Sequence, residues 1–464
     1  MAYLQIILWS TLAGLFISIA GVLLLLPSAY KHSSPAKPTS VQILVLGDIG
    51  RSPRMQYHAL SIAKHGGTVH LIGYQESTPH PDLTANPRII IHPLANPPGV
   101  LKSPSIPFIV SGPLKVVWQV GTLIRALCYT APPCTWLLVQ NPPSIPTLLI
   151  AGIVSVLRNT RLMIDWHNYG WTILAGTKGP SHPFVSISKA YEIVLGQVAP
   201  TANITVTHAM KKQLMAAPYN IQSPIVTLHD RPAAIFQPRD SKWDRQAFLE
   251  SLPETKDIAA SIVAGETKLI VSSTSWTPDE DFSLLLEALV TYANSNTSQY
   301  PITAIITGRG PQKCHYEQRI KTLQSSGQLS NIRILTAWLS MEDYAALLRS
   351  ADLGVCLHMS SSGVDLPMKV VDMFGSGLPV VAYSAYESFG ELVKEGVNGC
   401  GFETADELAG VLGRLFDGKA EGRTGKEGGE EELAVLRKGA EAESALRWNE
   451  EWDRVLGRIF GFTE

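Results

Sequence analysis

DLGVCLHMSSSGVDLPMKVVDMFGSGLPVVA, residues 352–382, decides how the chain folds. The apolar run Asp352–Leu357 reads as a buried strand that empties into a loop of small residues, Ser360-Ser361-Ser362-Gly363. Pro367 suits the opening of a helix, and Met368–Phe374 continues it with mostly apolar side chains. Gly377-Leu378 breaks the helix, and Pro379–Ala382 is apolar again. Strand, helix and strand in so short a span make one unit of a parallel sheet. The helix carries charges that its apolar neighbours make conspicuous. Asp365 stands at its start, where a carboxylate suits the helix dipole, Lys369 follows, and Asp372 lies two turns on near the same face. Charges on a mostly buried helix need a reason. A sugar, a ribose diol and a diphosphate are ligands such a set could grip together.

The same pattern extends in both directions. Lys268–Ser273, Ile302–Thr307 and Asn331–Leu335 precede it as strands of one series. An earlier series comprises Gln42–Gly47, Thr68–Gly73, Arg88–His92, Thr135–Gln140, Arg161–Asp165 and Asn203–Thr207. Strands alternating with longer helical stretches predict α/β architecture, with parallel sheets covered on both faces. Leu228-His229-Asp230-Arg231-Pro232, with Pro238 beyond it, reads as a linker. The expected domains are therefore residues 39–232 and 233–445, two doubly wound units with a cleft between them. A polar, Gly-rich insertion over 417–432 is expected to be irregular. Residues 446–464 form a C-terminal helix whose Trp448, Trp452, Leu456 and Ile459 make an apolar stripe.

Residues 1–38 form an anchor and its juxtamembrane segment. Leu4–Leu26 carries no charge and as a helix would span roughly 35 Å, enough to cross a bilayer. A secretory signal wants a basic start and a shorter apolar core, and no Lys or Arg precedes this run. Lys31 and Lys37 follow it, so the positive-inside rule puts the body on the cytosolic side. Of two sequons, Asn203-Ile204-Thr205 also reads as buried strand, and Asn296-Thr297-Ser298 is taken as chance. Charge is nearly balanced, with 38 Lys+Arg against 40 Asp+Glu. That excludes a nucleic-acid binder working through a broad cationic surface. Five scattered cysteines without a C-x2-C pair predict neither a zinc site nor a disulfide framework.

Chemistry is expected at strand ends. The first strand ends in Gly47-Asp48-Ile49-Gly50-Arg51-Ser52-Pro53-Arg54. Glycines there admit a ligand to the backbone, Ser52 and Pro53 start a helix, and Arg51 and Arg54 would welcome a diphosphate. This is not G-x-G-x-x-G, so a dinucleotide oxidoreductase is disfavoured. Trp166-His167-Asn168 closes another strand, and His167 could act as a base or hold a sugar hydroxyl. In the second half, Gly308, Gly310 and Lys313 follow a strand and could admit a nucleotide. Of the apolar stretches 113–127 and 142–157, one could dip into a bilayer interface to meet a lipid chain, the alternative being a buried crossover helix.

Four motifs together carry a resemblance: GDIGRSPRMQYHA (47–59), IDWHNYG (164–170), STSWTPDEDF (273–282) and GVDLPMKVVDMFGSGLPVVA (363–382). In that order, behind an N-terminal anchor, they resemble the chitobiosyldiphosphodolichol β-mannosyltransferases. The resemblance implies a GT-B fold, two Rossmann-like domains facing a cleft with one transmembrane helix. It implies GDP-mannose as donor and dolichyl-diphosphate-linked chitobiose as acceptor, a β1,4 product formed with inversion, and no metal or other cofactor. It places the body on the cytosolic face of the endoplasmic reticulum membrane, with other glycosyltransferases of the pathway as partners. Residue by residue, Asp372 matches the second of two glutamates found in many retaining GT-B enzymes and is assigned to the ribose, whereas Asp365 falls one position late and is assigned to the sugar or its neighbourhood. Lys369 at the helix opened by Pro367 would steady the leaving diphosphate, with Lys313 a second candidate. Asp48 is ranked slightly ahead of His167 as the base. Another anchored transferase of the same pathway, or a non-catalytic partner subunit, is the alternative reading.

Overall fold

The computed structural model describes residues 26–31, 39–102, 106–295, 300–417, 419–420, 423–424 and 426–462. Two parallel sheets organise it. The first runs β3-β2-β1-β4-β5-β6-β7 and the second β10-β9-β8-β11-β12-β13. In the first, β1 is Ser40–Asp48, β2 Thr68–Tyr74, β3 Ile89–Pro93, β4 Trp136–Asn141, β5 Arg161–Trp166, β6 Ala202–Thr205 and β7 Ile225–Thr227. In the second, β8 is Lys268–Ser273, β9 Ile302–Thr307, β10 Ile332–Ala337, β11 Leu353–Cys356, β12 Val380–Tyr383 and β13 Gly399–Phe402. Both orders place the first and fourth strands side by side, so each sheet reverses direction there and opens a crevice beyond the strand ends.

Burial follows the sequence pattern. Every residue of β8 and β9 is buried, as continuous β-branched runs in a two-sided sheet require. β7 and β13 escape sequence reading because each is short and edge-like; Gly399 and Gly401 also lower strand propensity in β13. Those glycines are needed: a Cβ on Gly399 would stand 2.5 Å from the Val380 carbonyl oxygen. Asn203 is likewise structural, accepting from Trp166 Nε1 at 2.9 Å and donating to Ser223 at 2.9 Å.

The chain crosses between the two sheets twice, once through residues 228–244 and once before the helix Trp448–Phe460. That helix returns to the first sheet. Trp448, Trp452, Leu456 and Phe460 are buried in one core with Ile43, Met55, Ala59 and Ile62. Trp448 Nε1 donates to Ser61 Oγ at 3.0 Å, and His65 stacks on Trp452 with ring centroids 5.7 Å apart. Thus the C-terminal helix belongs to the first core. The stripe is shifted by one at its end, since Phe460 and not Ile459 is buried.

The expected irregular insertion over 417–432 is corrected in part. Asp417 is the buried end of the helix Ala405–Asp417, Lys419–Ala420 pairs with Arg423–Thr424, and Lys426–Ser444 is one helix. Glu430, Glu431 and Glu432 fall early in that helix, where carboxylates suit the dipole, and Glu432 pairs with Arg414. Composition alone reads such a run as solvated coil. The anchor segment, apart from Leu26, and the sequon at Asn296 lie outside the described residues. Among the described residues no helix is long and apolar enough to cross a membrane.

Trp452→Ala empties a fully buried site that holds the C-terminal helix against the first domain. We expect a loss of about 3–5 kcal/mol in denaturant unfolding, whereas exposed Met341→Ala shifts the midpoint little.

Candidate active site

Loops from both domains enclose a cavity of about 230 Å³. Arg51, Ser52 and Pro53 reach it from the end of β1, Gln140 from β4, and His167 from β5. Asp365, Leu366 and Met368 come from the loop and helix after β11, and Asp230 from the linker. Two helices therefore open onto the cavity, Pro53–Lys64 and Met368–Gly375. Their free backbone amides favour an anion.

Behind the cavity lies a buried ionic knot. Asp165, at the end of β5, is fully buried and accepts from four nitrogens. Arg54 Nε and Nη2 donate at 2.9 and 3.1 Å, His58 Nε2 at 3.1 Å and His167 Nε2 at 2.9 Å. Arg54 also donates from Nη1 to Asp230 at 2.8 Å and to the Leu228 carbonyl at 3.0 Å. Burial alone would raise the Asp165 pKa; Arg54 and His167 outweigh it and hold the carboxyl well below its usual range.

The knot also fixes tautomers. Trp452 Nε1 can only donate, and it donates to His58 Nδ1 at 3.0 Å. His58 therefore keeps its proton on Nε2 and is neutral, in line with a pKa lowered chiefly by burial. His167 is the half-buried member of the set. Its Nε2 must carry the proton that meets Asp165, which leaves the Nδ1 lone pair open on a ring that lines the cavity.

The residues anticipated from sequence divide into several groups. Asp48 is not poised as a base. It receives the amides of Gly50, Glu76 and Ser77 at 3.3, 3.0 and 3.2 Å, together with the Ser77 hydroxyl. Burial would push its pKa up, but these donors bring it below the ordinary value. Asp48 thus locks the loop after β1 onto the loop after β2. Gly50 serves the same approach, since a Cβ there would sit 2.8 Å from the Ser77 carbonyl oxygen. Gly47 has no such constraint. Arg51 is exposed at the rim and reaches Asp48 at 3.6 Å. Arg54, expected to meet a diphosphate, is buried and saturated by Asp165 and Asp230.

In the second domain, Asp365 takes Asn168 Nδ2 and His358 Nε2, each at 3.2 Å, and the Ser360 hydroxyl. It so ties the loop after β11 to the loop after β5. Lys369 pairs with Glu280, whose carboxylate also holds Thr274 Oγ1 at 3.0 Å and the Ser275 amide. Gly308 and Gly310 are demanded by protein rather than ligand: Cβ atoms there would stand 1.8 and 1.7 Å from the carbonyl oxygens of Thr274 and Ser275. Lys313 lies on the helix Lys313–Ser325, 3.7 Å from Glu317, and does not line the cavity.

Asp372 does not line the cavity, and it differs from the acids that do, Asp230 and Asp365. Among the described residues no side chain or amide donates to its carboxylate. Burial, with Asp230 nearby, raises its pKa to about 8. Sequence reading missed Asp165, Asp230 and Glu280 although the quoted stretches contain them, and missed Glu192 altogether. Glu192 is buried in the apolar helix Pro183–Val198, and it holds the Gly170 amide at 2.9 Å and the Ser144 hydroxyl. An acid amid such residues was the available signal. Away from the cavity, His208, His229 and Glu391 converge at the domain junction. Both Glu391 oxygens already accept the His208 and Ala209 amides at 2.6 and 2.7 Å, so this group caps the helix His208–Met215 across the two domains. The five cysteines are free, with only Cys314 exposed.

The glycosyl transferases group 1 family matches residues 266–417. A chitobiosyldiphosphodolichol beta-mannosyltransferase of Arthroderma benhamiae is 44% identical over 98% of this chain and 99% of that protein. The Homo sapiens protein of the same name is 39% identical over 90% of this chain and 91% of its own. Among solved structures, sucrose-phosphate synthase from Thermosynechococcus elongatus superposes with a TM-score of 0.65 at 13% identity, covering 92% of this chain and 98% of that one. Anabaena HepE in complex with UDP gives 0.60 at 14% identity, over 90% and 98%. At such identity these two establish the fold alone, the two-domain GT-B arrangement.

Asp372 holds its proton at pH values where an unfolded chain has lost it. Between about pH 4 and about pH 8 the folded state therefore binds more protons, and stability falls as pH rises through that window. Asp372→Asn should remove this slope: the variant gains on the native chain by roughly 1–3 kcal/mol between pH 5 and pH 8 in urea unfolding.

Proposed function

The chain belongs to the chitobiosyldiphosphodolichol beta-mannosyltransferases, and we propose that it carries mannose from GDP-mannose to dolichyl-diphosphate-linked chitobiose, forming a β1,4 bond. The observation that carries the chemistry is the cavity histidine whose tautomer is set by a buried carboxylate. GDP-mannose is an α-donor, so a β product calls for inversion in one in-line displacement. In that step the acceptor hydroxyl attacks the anomeric carbon while the bond to the diphosphate oxygen breaks. His167 Nδ1 takes the hydroxyl proton, and Asp165 stabilises the imidazolium that forms. The departing diphosphate gathers negative charge. The two helix N-termini, Arg51 at the rim and Lys369 beside Glu280 are the groups suited to steady it. These groups support a reading in which no metal is assigned to the site.

Asp372 fits the ribose. A half-buried acid with no protein donor gains partners from two neutral hydroxyls, which bring hydrogen bonds without further charge. Asp365 belongs to the mannose side, where Asn168 and His358 already orient it. The apolar run Leu4–Leu26 would anchor the protein in the endoplasmic reticulum membrane, with Lys31 and Lys37 keeping the body cytosolic. Other transferases acting on the same lipid are the partners such an arrangement would favour.

Labelled GDP-mannose and a lipid-diphosphate chitobiose, incubated with the purified chain, should give a trisaccharide that β-mannosidase trims. A product resistant to that enzyme, or no turnover with this donor, would overturn the assignment. For the base, His167→Ala should lower kcat about 10²–10⁴-fold with little change in the KM for donor. Asp48→Asn should chiefly lower Tm by loosening its loop. The opposite ranking of kcat losses would return the base to Asp48.

A further inference from the structure

Three neighbouring helices of the first domain carry apolar side chains outward at helical spacing. On Phe108–Arg125 these are Val110, Leu114, Val117 and Ile124. On Thr147–Leu157 they are Leu149, Ile153, Val156 and Leu157, and on Pro183–Val198 they are Phe184, Ile187, Val194 and Val198. Val117, Val156 and Val198 are 67%, 81% and 73% exposed. The middle helix contacts both others, so the stripes share one side of the sheet. Stripes on three adjacent helices are far from the scattered apolar exposure of an ordinary surface.

Charge on this region is one-sided. Between Asp82 and Asp230 the only acids are Asp165 and Glu192, and both are fully buried. The same stretch carries Lys115, Arg125, Lys178 and Lys189 on or beside these helices. An apolar face without exposed carboxylates and with basic residues around it suits an anionic lipid surface. The chain's path points to the same occupant. Residues 28–30 are pinned to the far end of the middle helix: Tyr30 N donates to the Arg158 carbonyl at 2.6 Å, and Arg158 Nε to the Ser28 carbonyl at 3.1 Å. The 23-residue apolar run Leu4–Leu26 ends there. The near end of the helix follows β4, whose Gln140 lines the cavity.

We infer that the first domain lies on the bilayer through this face, so that a lipid-linked acceptor reaches the cavity along the helix Thr147–Leu157. The inference deepens the proposed reading, because that acceptor is a membrane lipid. Of the two apolar stretches singled out in the sequence, both contribute, and Trp118 is tied to the protein, its Nε1 donating to the Ala95 carbonyl at 3.2 Å.

The test uses the full chain with Cys314→Ser, which removes the exposed thiol. Val117→Cys, Val156→Cys, Val194→Cys and, on the second domain, Met341→Cys each receive a polarity-sensitive fluorophore. The chains are reconstituted in vesicles of phosphatidylcholine and phosphatidylserine with or without brominated acyl chains. Lipid bromine should quench the first three labels several-fold and leave the label at 341 unchanged. Labels at 117, 156 and 194 as bright as that at 341 would overturn the inference. So would labels shielded from aqueous iodide yet insensitive to bromine, which would mean a second copy or another protein covers the face. No nucleotide sugar is present, so the outcome is independent of the donor assignment. In a second arm, Ile153→Asp with Val156→Asp should lower transfer to a long-chain acceptor in vesicles about 10-fold and spare a short-chain soluble acceptor. Equal loss on both would place the stripe in folding or catalysis and overturn the docking.

Discussion

Everything around the cleft depends on Asp165. A carboxylate without access to water is costly unless donors surround it, and here four nitrogens converge on it from three side chains. Each donor commits a different part of the molecule. Arg54 fastens the helix after β1 and, through Asp230, the linker to the second domain. His58 is fixed by Trp452, so the C-terminal helix is part of the same network. His167 and Arg54 both line the cavity, and His167 is the member with a ring nitrogen outside the knot. The orientation of a cavity imidazole is thereby set by contacts that span residues 54 to 452. Loss of one donor would leave buried charge uncompensated, a larger penalty than the interaction itself contributes.

The fold was legible because its signals are local. Apolar runs of four to eight residues, broken by glycine and proline and separated by helical stretches, specify a parallel α/β sheet without knowledge of tertiary contacts. Eleven strands were anticipated near their observed places; β7 was lost because three residues carry too little pattern, and β13 because Gly399 and Gly401 interrupt its apolar run. The site was legible only as a region. Asp48 and Arg54 stood out as charges beside glycines at a strand end, the place where ligands bind. Whether such a charge is free depends on partners distant in sequence: Ser77 and Glu76 for Asp48, Asp165 and Asp230 for Arg54. Spacing cannot report those partners. The glycines misled for a similar reason. Gly308 and Gly310 look like room for a nucleotide, yet the space is taken by the carbonyls of Thr274 and Ser275.

Two sheets of the same strand order have been put to different uses, and the distribution of charge shows how. On its three-helix face the first domain keeps Asp165 and Glu192 inside and shows bases and apolar stripes outside, a surface compatible with lipid. The second carries its acids at the surface and at the cleft, with Lys369 held by Glu280 near the start of a helix. Between them Val364 enters the first domain's core, flanked by polar contacts: Thr207 Oγ1 donates to the Val364 carbonyl at 2.6 Å, and Asn168 to Asp365 at 3.2 Å. Polar contacts of this kind hold a register while permitting the small domain movements that a two-domain cleft requires.

The carboxylates of the cleft then divide by what still lacks a partner. Arg54 is a single cation facing Asp165 and Asp230, and both of its charged contacts are used. Asp372, close enough to Asp230 to feel its charge, receives none of that compensation and keeps its proton to about pH 8. An anion placed against it would find no positive partner there and would oppose its ionisation further. Neutral hydroxyls would instead supply the donors that the protein withholds. In the proposed reading the diphosphate of the nucleotide sugar would therefore sit near the helix ends, Arg51 and Lys369, and its ribose near Asp372. The same argument separates the roles of the two histidines. His58 is buried and neutral with both nitrogens engaged, and cannot exchange a proton with a ligand, whereas His167 keeps one nitrogen for the cavity.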